Sequence, residues 1–161
     1  MVETNDRKLP VGIQSFEKIR KQGCLYVDKT DIIWQLANGI RKYNYLSRPR
    51  RFGKSVLVDT LESYFLGKKE LFAGLKIMQL ETEWVKRPVI RLDMSRAGAE
   101  PETLRSYLDN AFRQYEKEYS LTPNPTDSLA DRFNAIIVGS YEQTGHQVAI
   151  LIDEYDSPLQ H

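Results

Sequence analysis

The sequence predicts an α/β fold, and the order and character of its predicted elements support that class. Apolar runs at residues 88–94 and 147–152 are predicted strands, and an aromatic-rich run at 42–47 precedes them. Helical patterns separate these runs, so the order is strand, helix, strand, helix, helix, strand. Two of the strands are apolar throughout, which is typical of a parallel sheet buried on both faces. We therefore expect a mainly parallel sheet with helices on its faces.

Two helices are predicted before the first strand. Ser15 can cap the first helix, and Gly23 can end it in a left-handed conformation. Asp28 or Thr30 would cap the second helix, which ends at Gly39. Its apolar face is formed by Ile32, Ile33, Leu36 and Ala37.

Three more helices follow the run at 42–47. The first begins after Gly53, and its apolar stripe is Leu57, Leu61, Tyr64 and Phe65. Pro101 suits the first turn of the next helix, which reaches about Tyr119. Its stripe is Leu104, Leu108, Ala111, Phe112 and Tyr115. Asp127 or Ser128 is the expected cap of the last helix, which continues through Ile136, Ile137 and Tyr141.

Composition excludes several classes of protein. With 161 residues, 41% hydrophobic and 28% charged, the chain is expected to form one globular domain. A net charge of +1 means that any anion binding must come from local arrangement. Cys24 is the only cysteine, so no internal disulfide can form; we expect it to be a small packing residue in a cytoplasmic protein. No apolar stretch is long enough for a transmembrane helix, and no membrane partner is expected.

Gly53, Lys54 and Ser55 match the end of a phosphate-binding loop. A polyphosphate needs converging backbone N–H groups, a helix N-terminus behind them and one mobile cation. Gly53 would let the backbone approach the phosphates. Lys54 would reach the β- and γ-phosphates, and the Ser55 hydroxyl would ligate Mg²⁺.

The match is incomplete, which leaves an alternative open. The full pattern is GxxxxGK[ST], and Arg48 stands at its first glycine position. A bare GK[ST] occurs by chance in roughly one chain in ten of this length. The alternative is a basic turn that caps a helix, with Lys54 in solvent. Six basic residues and no acid lie from Arg41 to Lys54, so this region attracts anions in either interpretation.

The last strand ends in the acid pair Asp153–Glu154, which favours a nucleotide site. Ligands of parallel α/β sheets bind at the carboxyl ends of the strands. Asp153 would hold Mg²⁺ across from Ser55, and Glu154 would polarise an attacking water as general base. The alternative is two acids in a surface turn that residues 155–158 complete.

Four segments of the chain resemble one known family. They are LPVGIQSFEKIR (9–20), CLYVDKT (24–30), YLSRPRRFGKSVLVDTLESYFLGKKELFAGL (45–75) and LIDEYDSPL (151–159). They resemble bacterial proteins with an AAA-ATPase-like domain, and the similarity runs from Leu9 to Leu159. That family replaces the first loop glycine in the same manner. The resemblance implies a P-loop NTPase-like three-layer sandwich with a mainly parallel sheet.

The same resemblance implies ATP and Mg²⁺ as cofactors and roles for particular residues. Lys54 and Glu154 are the expected catalytic residues, and Ser55 and Asp153 are the expected metal ligands. The expected cofactor-binding residues are Arg50, Arg51, Phe52, Gly53, Lys54, Ser55 and Val56.

The sequence also suggests roles for two other regions. Segments 11–16 and 26–30 are expected to border the base of the nucleotide. Asp93, at the end of the second predicted strand, is expected either beside the metal ligands or, as is more common for such an acid, as the cap of the next turn.

We expect residues 1–161 to be the N-terminal part of an AAA-ATPase-like domain. A helical segment would occupy 1–41, and the P-loop core would occupy 42–161 through the Walker B strand. Because the chain stops just past that strand, the sheet is expected to be incomplete. The gap between strands 42–47 and 147–152 would be filled by a partner chain or closed by direct pairing. Hydrolysis by this piece alone is expected to be feeble, since catalytic cations are worth ~10³–10⁵ in rate in comparable enzymes.

Three functions are compatible with the sequence. The first is an ATPase whose hydrolysis drives a conformational change in an attached or partner domain. The second is a nucleotide-binding module with little or no turnover, and the third is an arginine-rich nucleic-acid-binding module. Many family members carry a PD-(D/E)XK nuclease-like domain after this part, so the expected partners are nucleotide, nucleic acid through that domain, and further copies of the chain. Tyr43 and Tyr45 alternate along the predicted strand, and we expect core or sheet-face positions for them rather than a stacking platform.

Overall fold

The computed structural model describes residues 8–47, 53–98 and 100–157, and these confirm an α/β chain. The helices are α1 (Phe16–Lys21), α2 (Thr30–Asn38), α3 (Lys54–Phe65), α4 (Pro101–Glu118) and α5 (Leu129–Thr144). The strands are β1 (Val89–Asp93) and β2 (Ala149–Asp153). Short 3₁₀ helices occupy Lys69–Phe72, Lys76–Gln79 and Met94–Arg96. The chain divides into two compact units, residues 1–86 and 87–161, each with its own apolar core.

Helix ends in the first unit follow the sequence signals with one exception. Ser15 caps α1 by accepting a backbone N–H at 3.4 Å, and Gly23 beyond the helix has φ +63°. The N-cap position of α2 is Lys29 rather than Asp28 or Thr30, so that prediction is wrong by one residue. Asp28 still accepts the N–H of Thr30 at 3.0 Å, because an aspartate side chain readily bonds the backbone two residues on.

Helix α1 is held against α3 and against the turn that follows α3. The N–H of Phe16 donates to Asp59 Oδ2 at 2.6 Å. Arg20 donates to the carbonyl oxygens of Leu71 at 2.7 Å and Ala73 at 2.6 Å. The apolar core of this unit is formed by Phe16, Ile33, Tyr64, Leu71, Phe72, Leu75 and Ile77. These contacts give α3, the helix that opens the predicted phosphate site, a fixed support.

The second unit is a parallel strand pair packed against two helices. β1 and β2 pair in register from Val89↔Ala149 to Asp93↔Asp153. Ser128, one of the two expected caps, caps α5, and it does so in a capping box with Asp131. The core of this unit is formed by Ile90, Leu92, Phe112 and Ile136. The strands predicted over 88–94 and 147–152 are therefore confirmed, and they end at the same edge of the sheet.

The predicted strand over 42–47 is wrong for this structure. Residues 42–47 form no strand, and the side chains of Tyr43 and Tyr45 are 94% and 71% exposed. The expectation that both tyrosines are core or sheet-face residues is also wrong. Aromatic side chains favour strands because they pack across a sheet, and that preference has no effect where no neighbouring strand pairs with the segment.

The two observed strands differ in how they are covered. Val89, Ile90 and Leu92 of β1 are all buried. In β2, Ile150 and Ile152 are 42% and 50% exposed, while the residues between and after them point into the unit. The expectation of a sheet buried on both faces therefore holds only in part for β1, where Arg91 and Asp93 are half-buried, and is wrong for β2.

Candidate functional site

Gly53 forms the start of α3 in a conformation that favours glycine. It occupies the N-cap position with φ +76°, in the left-handed region that other residues adopt only with strain. The first intrahelical bond runs from the N–H of Leu57 to the Gly53 carbonyl at 3.0 Å. Lys54, Ser55 and Val56 make up the first turn and are half-buried. The glycine at this position therefore has a conformational reason, in addition to the close approach of the backbone to phosphates that the sequence pattern predicts.

The start of α3 has the features that an anion needs. The first N–H groups of any α-helix have no partner within the helix, and the helix dipole makes that end positive. No acidic residue lies in the first turn of α3, and within the part of the chain that the structure describes its N-cap residue, Gly53, provides no side-chain cap. A Cβ added to Gly53 would meet nothing within 4 Å, so there is open space beside its backbone. These residues fit a phosphate group.

Three of the predicted cofactor-binding residues, Arg50, Arg51 and Phe52, lie outside the described residues. Gly53, Lys54, Ser55 and Val56 lie within them.

Several residues that support this helix escaped the sequence analysis. Asp59 accepts a hydrogen bond from the N–H of Phe16, the first residue of α1, as described above. Thr60, which is fully buried, donates its hydroxyl to the Val56 carbonyl at 2.7 Å and bonds the phenol of Tyr26. Burial raises the pKa of Tyr26 despite that bond, so the phenol stays a neutral hydrogen-bonding group. The only sequence signal for these contacts is a polar residue in the middle of an apolar helix stripe.

The acidic half of the predicted site lies at the carboxyl edge of the β1–β2 sheet. Asp93 and Asp153 are directly opposite each other in the strand register. Asp153 is only 6% exposed, and its Oδ1 accepts the N–H of Glu154 at 3.0 Å. Parallel strands thus bring two carboxylates to one sheet edge, where ligands of such sheets bind.

Asp93 caps the turn that follows β1, which is one of its two expected roles. Its Oδ1 accepts the N–H of Ser95 at 3.1 Å and the Ser95 hydroxyl at 2.6 Å. Its Oδ2 pairs with Arg96 Nε at 3.4 Å. A role beside the metal ligands stays a prediction.

Glu154 leaves β2 with a left-handed backbone. Its φ is +49°, and its carbonyl accepts the N–H of Ser157 at 2.9 Å to close a turn. Residues other than glycine, asparagine and aspartate rarely adopt such a φ, and functional sites are where such strain collects. The side chain is half-buried at the end of the strand.

A metal site made of protein ligands alone is absent from residues 8–47, 53–98 and 100–157. No group of three or more His, Cys, Asp or Glu side chains there could hold a metal ion. Magnesium in nucleotide sites is usually held by one or two protein ligands together with phosphate oxygens and water. The donor set of Ser55 and Asp153 fits that mode. Ser55 lies in the first unit and Asp153 in the second, so their meeting at one ion stays a prediction.

The CLYVDKT segment has a structural role that its sequence did not reveal. Asp28 accepts the Thr30 hydroxyl at 2.7 Å and, through Oδ2, the N–H of Lys76 at 2.8 Å. The Thr30 hydroxyl accepts the N–H of Ile77 at 3.0 Å. Burial raises the pKa of Asp28, but the hydrogen bonds from Thr30 and Lys76 outweigh it, so the net pKa lies below its ordinary value. These hydrogen bonds join segment 26–30 to the second 3₁₀ helix (Lys76–Gln79). The expectation that this segment borders the base of the nucleotide stays a prediction.

Comparison with known proteins identifies the family. A family model described as "Predicted AAA-ATPase" matches residues 10–161. The chain belongs to this family. The resemblance of the four quoted segments is thereby confirmed, and the AAA-ATPase-like name supports nucleotide binding at the level of the family.

This AAA-ATPase-like chain is also similar to a bacterial protein that is itself uncharacterized. An uncharacterized protein from the vnfD 5′ region of Azotobacter chroococcum mcd 1 is 36% identical over 156 residues. The alignment covers 95% of the chain and 30% of that relative, so the chain spans less than a third of the relative's length. No solved structure matches the chain. Across the described residues, none of the helices has the length and apolar character needed to cross a bilayer.

Proposed function

We propose that this chain is the nucleotide-binding part of a P-loop NTPase that binds ATP with Mg²⁺. The observation that carries the proposal is the left-handed Gly53 at the start of α3, followed at once by Lys54 and Ser55. The family membership supports it independently. The fold that we propose for the assembled domain is the three-layer P-loop sandwich, of which β1 and β2 would form part.

In this proposal, the first turn of α3 binds the phosphates. The N–H groups of the turn donate to phosphate oxygens, and the Lys54 ammonium neutralises charge on the β- and γ-phosphates. The Arg50–Arg51–Phe52 segment would contribute the preceding part of the cradle. Ser55 and Asp153 would hold Mg²⁺, which would supply neutralisation of the phosphate charge when bound.

The two acidic residues would have different roles, Asp153 in binding the metal ion and Glu154 in proton transfer. Asp153 is buried and oriented by the Glu154 N–H, which suits a fixed ligand. Glu154 is half-buried and stands outside the strand, where its carboxylate would orient an attacking water and accept its proton. Hydrolysis would drive a conformational change in an attached or partner domain.

Nucleotide binding with and without Mg²⁺ tests the proposal. The parent is expected to bind ATP in a Mg²⁺-dependent manner, and Lys54→Ala is expected to abolish that binding. Lys69→Ala is the matched control, because Lys69 is an exposed lysine beyond the far end of the same helix. Equal binding by the parent and Lys54→Ala would overturn the proposal.

A second comparison separates hydrolysis from binding. Glu154→Gln is expected to retain ATP binding and to lose turnover. If Glu154→Gln and the parent turn over equally, Glu154 is not the base. If neither hydrolyses ATP even in the complete protein, the module binds nucleotide without turnover. Cytoplasmic location, homo-oligomerisation and nucleic-acid contact through a nuclease-like domain remain further parts of this proposal.

A further inference from the structure

We infer that Tyr107 and Tyr115 of α4 bond the outer edge of β1 in place of a neighbouring strand, and that they thereby prevent a second copy of the chain from adding a strand there. We call these two residues the tyrosine pair. The outer edge is the edge of β1 that is turned away from β2. The inference concerns residues of the second unit alone, so it does not depend on the nucleotide proposal.

The strand register shows which backbone groups of β1 face outward. The N–H of Ala149 donates to the carbonyl of Pro88 at 2.9 Å, so residue 88 faces β2. Successive residues of a strand direct their N–H and C=O groups to alternate sides. Arg91 and Asp93 therefore direct these groups away from β2. Among the described residues the sheet consists of β1 and β2, so the outward groups face no further strand there.

The tyrosine pair bonds three of these outward groups. The Tyr115 hydroxyl accepts the N–H of Arg91 at 2.8 Å and donates to the carbonyl of the same residue at 3.0 Å. The Tyr107 hydroxyl accepts the N–H of Asp93 at 2.7 Å. A tyrosine hydroxyl can both donate and accept, so Tyr115 alone replaces the two bonds that a neighbouring strand would make to Arg91.

Helix α4 holds the tyrosine pair in place. Tyr107 and Tyr115 are eight residues apart, a spacing that puts both on one side of the helix. The helix packs on the strand through Phe112, which is 4% exposed and lies in the same core as Ile90 and Leu92. Both hydroxyls are thus presented by a packed element, whereas an incoming strand would first have to lose conformational freedom.

A second copy of the chain is the partner that this arrangement excludes. A strand edge with unbonded N–H and C=O groups is a template for pairing with further chains. The sequence of β1, Val-Ile-Arg-Leu-Asp, is rich in residues that favour strands, and every copy carries it. An added strand would need the N–H and C=O groups of Arg91 and the N–H of Asp93, which are the groups that the tyrosine pair bonds.

Amide hydrogen exchange of the 161-residue chain, followed by NMR, tests the hydrogen bonds. Tyr115→Phe keeps the ring and removes the hydroxyl, so exchange of the Arg91 amide is expected to accelerate by about 5- to 150-fold, the range for a buried donor that loses its partner. Tyr107→Phe is expected to accelerate exchange of the Asp93 amide by a similar factor. Each variant is expected to leave the other amide unchanged.

The chain provides internal and matched controls for this measurement. The amides of Ile90 and Leu92 face β2, so their exchange is expected to stay as in the parent. Tyr141→Phe removes a hydroxyl from an exposed tyrosine on α5 of the same unit and is expected to change none of these amides. Equal acceleration of all the amides of β1 in both variants would mean that the hydroxyls act only on the stability of the whole unit, and would overturn the inference.

Self-association tests the exclusion of a second copy. Tyr107→Ala with Tyr115→Ala removes rings and hydroxyls together, and the average mass from light scattering is expected to rise with protein concentration above that of the parent. Tyr141→Ala is expected to match the parent. If the double variant does not fold, Tyr107→Ala alone provides the test, because it leaves Tyr115 packed against the core.

The exchange rates identify the surface through which the variant associates. The amides of Arg91 and Asp93 are expected to exchange rapidly in the dilute variant and slowly in the concentrated one, since an added strand would bond them again. Association that leaves both amides in rapid exchange would place the contact elsewhere and would overturn the inference. An average mass equal to that of the parent at every concentration, in a folded variant, would also overturn it.

Discussion

Replacing Gly53 by alanine separates the backbone role of this glycine from its role in binding. The substitution forces a residue with a Cβ to adopt φ +76°, which costs about 1–2 kcal/mol in the left-handed region. No clash adds to this cost, because the new Cβ would meet nothing within 4 Å. The free energy of unfolding of the first unit is therefore expected to fall by about 1–2 kcal/mol. Nucleotide binding is expected to be lost, since the Cβ would occupy the space that a phosphate needs.

Gly74 provides a matched control for this prediction. Its φ is also +76°, and a Cβ there would also meet nothing within 4 Å. Both glycines belong to the first unit, so both substitutions act on the same structure. Gly74→Ala is expected to lower stability by the same amount while leaving ATP affinity unchanged.

The two quantities are measured on the same samples. Urea denaturation gives the free energy of unfolding, and isothermal titration with Mg·ATP gives the affinity. The reasoning fails if Gly53→Ala binds ATP as tightly as Gly74→Ala while both lose equal stability. It also fails if Gly53→Ala is much less stable than Gly74→Ala, because the strain would then not be the whole structural effect.

Two further predictions concern charged groups outside the candidate site. Arg132→Met is expected to cost about 3–5 kcal/mol in urea denaturation, because buried Glu116, which pairs with Arg132 Nε at 2.6 Å, would lose its counter-charge. Adding Glu116→Leu is expected to restore most of that loss. Bonds from Lys21 and Lys68 lower the pKa of Glu17 from 4.5 to about 2. Because the folded pKa lies below the unfolded one, the stabilisation is present above about pH 4.5 and is lost as the pH falls towards 2. Glu17→Gln should therefore differ from the parent at neutral pH and converge with it in acid.

Each of these predictions has a control in the chain. Arg113 pairs with Asp109 at 3.0 Å on the surface, so Arg113→Ala is expected to cost less than about 1 kcal/mol. A cost as large as that of Arg132→Met would contradict the role of burial. Glu83 is exposed, and Glu83→Gln controls for the change of a glutamate side chain to glutamine. If both glutamate variants show the same pH profile, the ion pairs of Glu17 contribute nothing.

Local signals predicted most of the helices and strands, because their causes are local. Ser15 and Ser128 mark helix starts through hydrogen bonds that span three residues. The apolar stripe of α3 packs in the core of the first unit, and the apolar run of β1 is largely buried. The strand at 42–47 failed for the converse reason: a strand exists only with a partner, and partner pairing depends on residues distant in sequence.

Contacts between residues that are distant in sequence, beside the candidate site and outside it, could not be predicted from sequence patterns. Asp59 bonds the N–H of Phe16 across 43 residues, and Arg132 pairs with Glu116 across 16. Nothing in the local sequence distinguishes these side chains from solvated charges. The positions of Gly53 at the start of α3 and of Asp153 at the end of β2 were predictable, since a phosphate loop and a strand-end acid each have a local pattern, while their roles stay predictions. Whether they meet at one ion depends on packing, which no local pattern encodes.

The backbone at Glu154 allows a test of whether its carboxylate serves a function. Its φ of +49° is one that asparagine tolerates better than glutamate, and its backbone bonds Asp153 and Ser157. Glu154→Asn is therefore expected to leave the free energy of unfolding unchanged or to raise it by up to about 1 kcal/mol, while removing ATP turnover. Glu83→Asn, at an exposed residue of the first unit, controls for the change of side chain. A loss of stability above about 1 kcal/mol in Glu154→Asn would mean that the glutamate is retained for structural reasons, and the case for a general base at this position would lose its physical support.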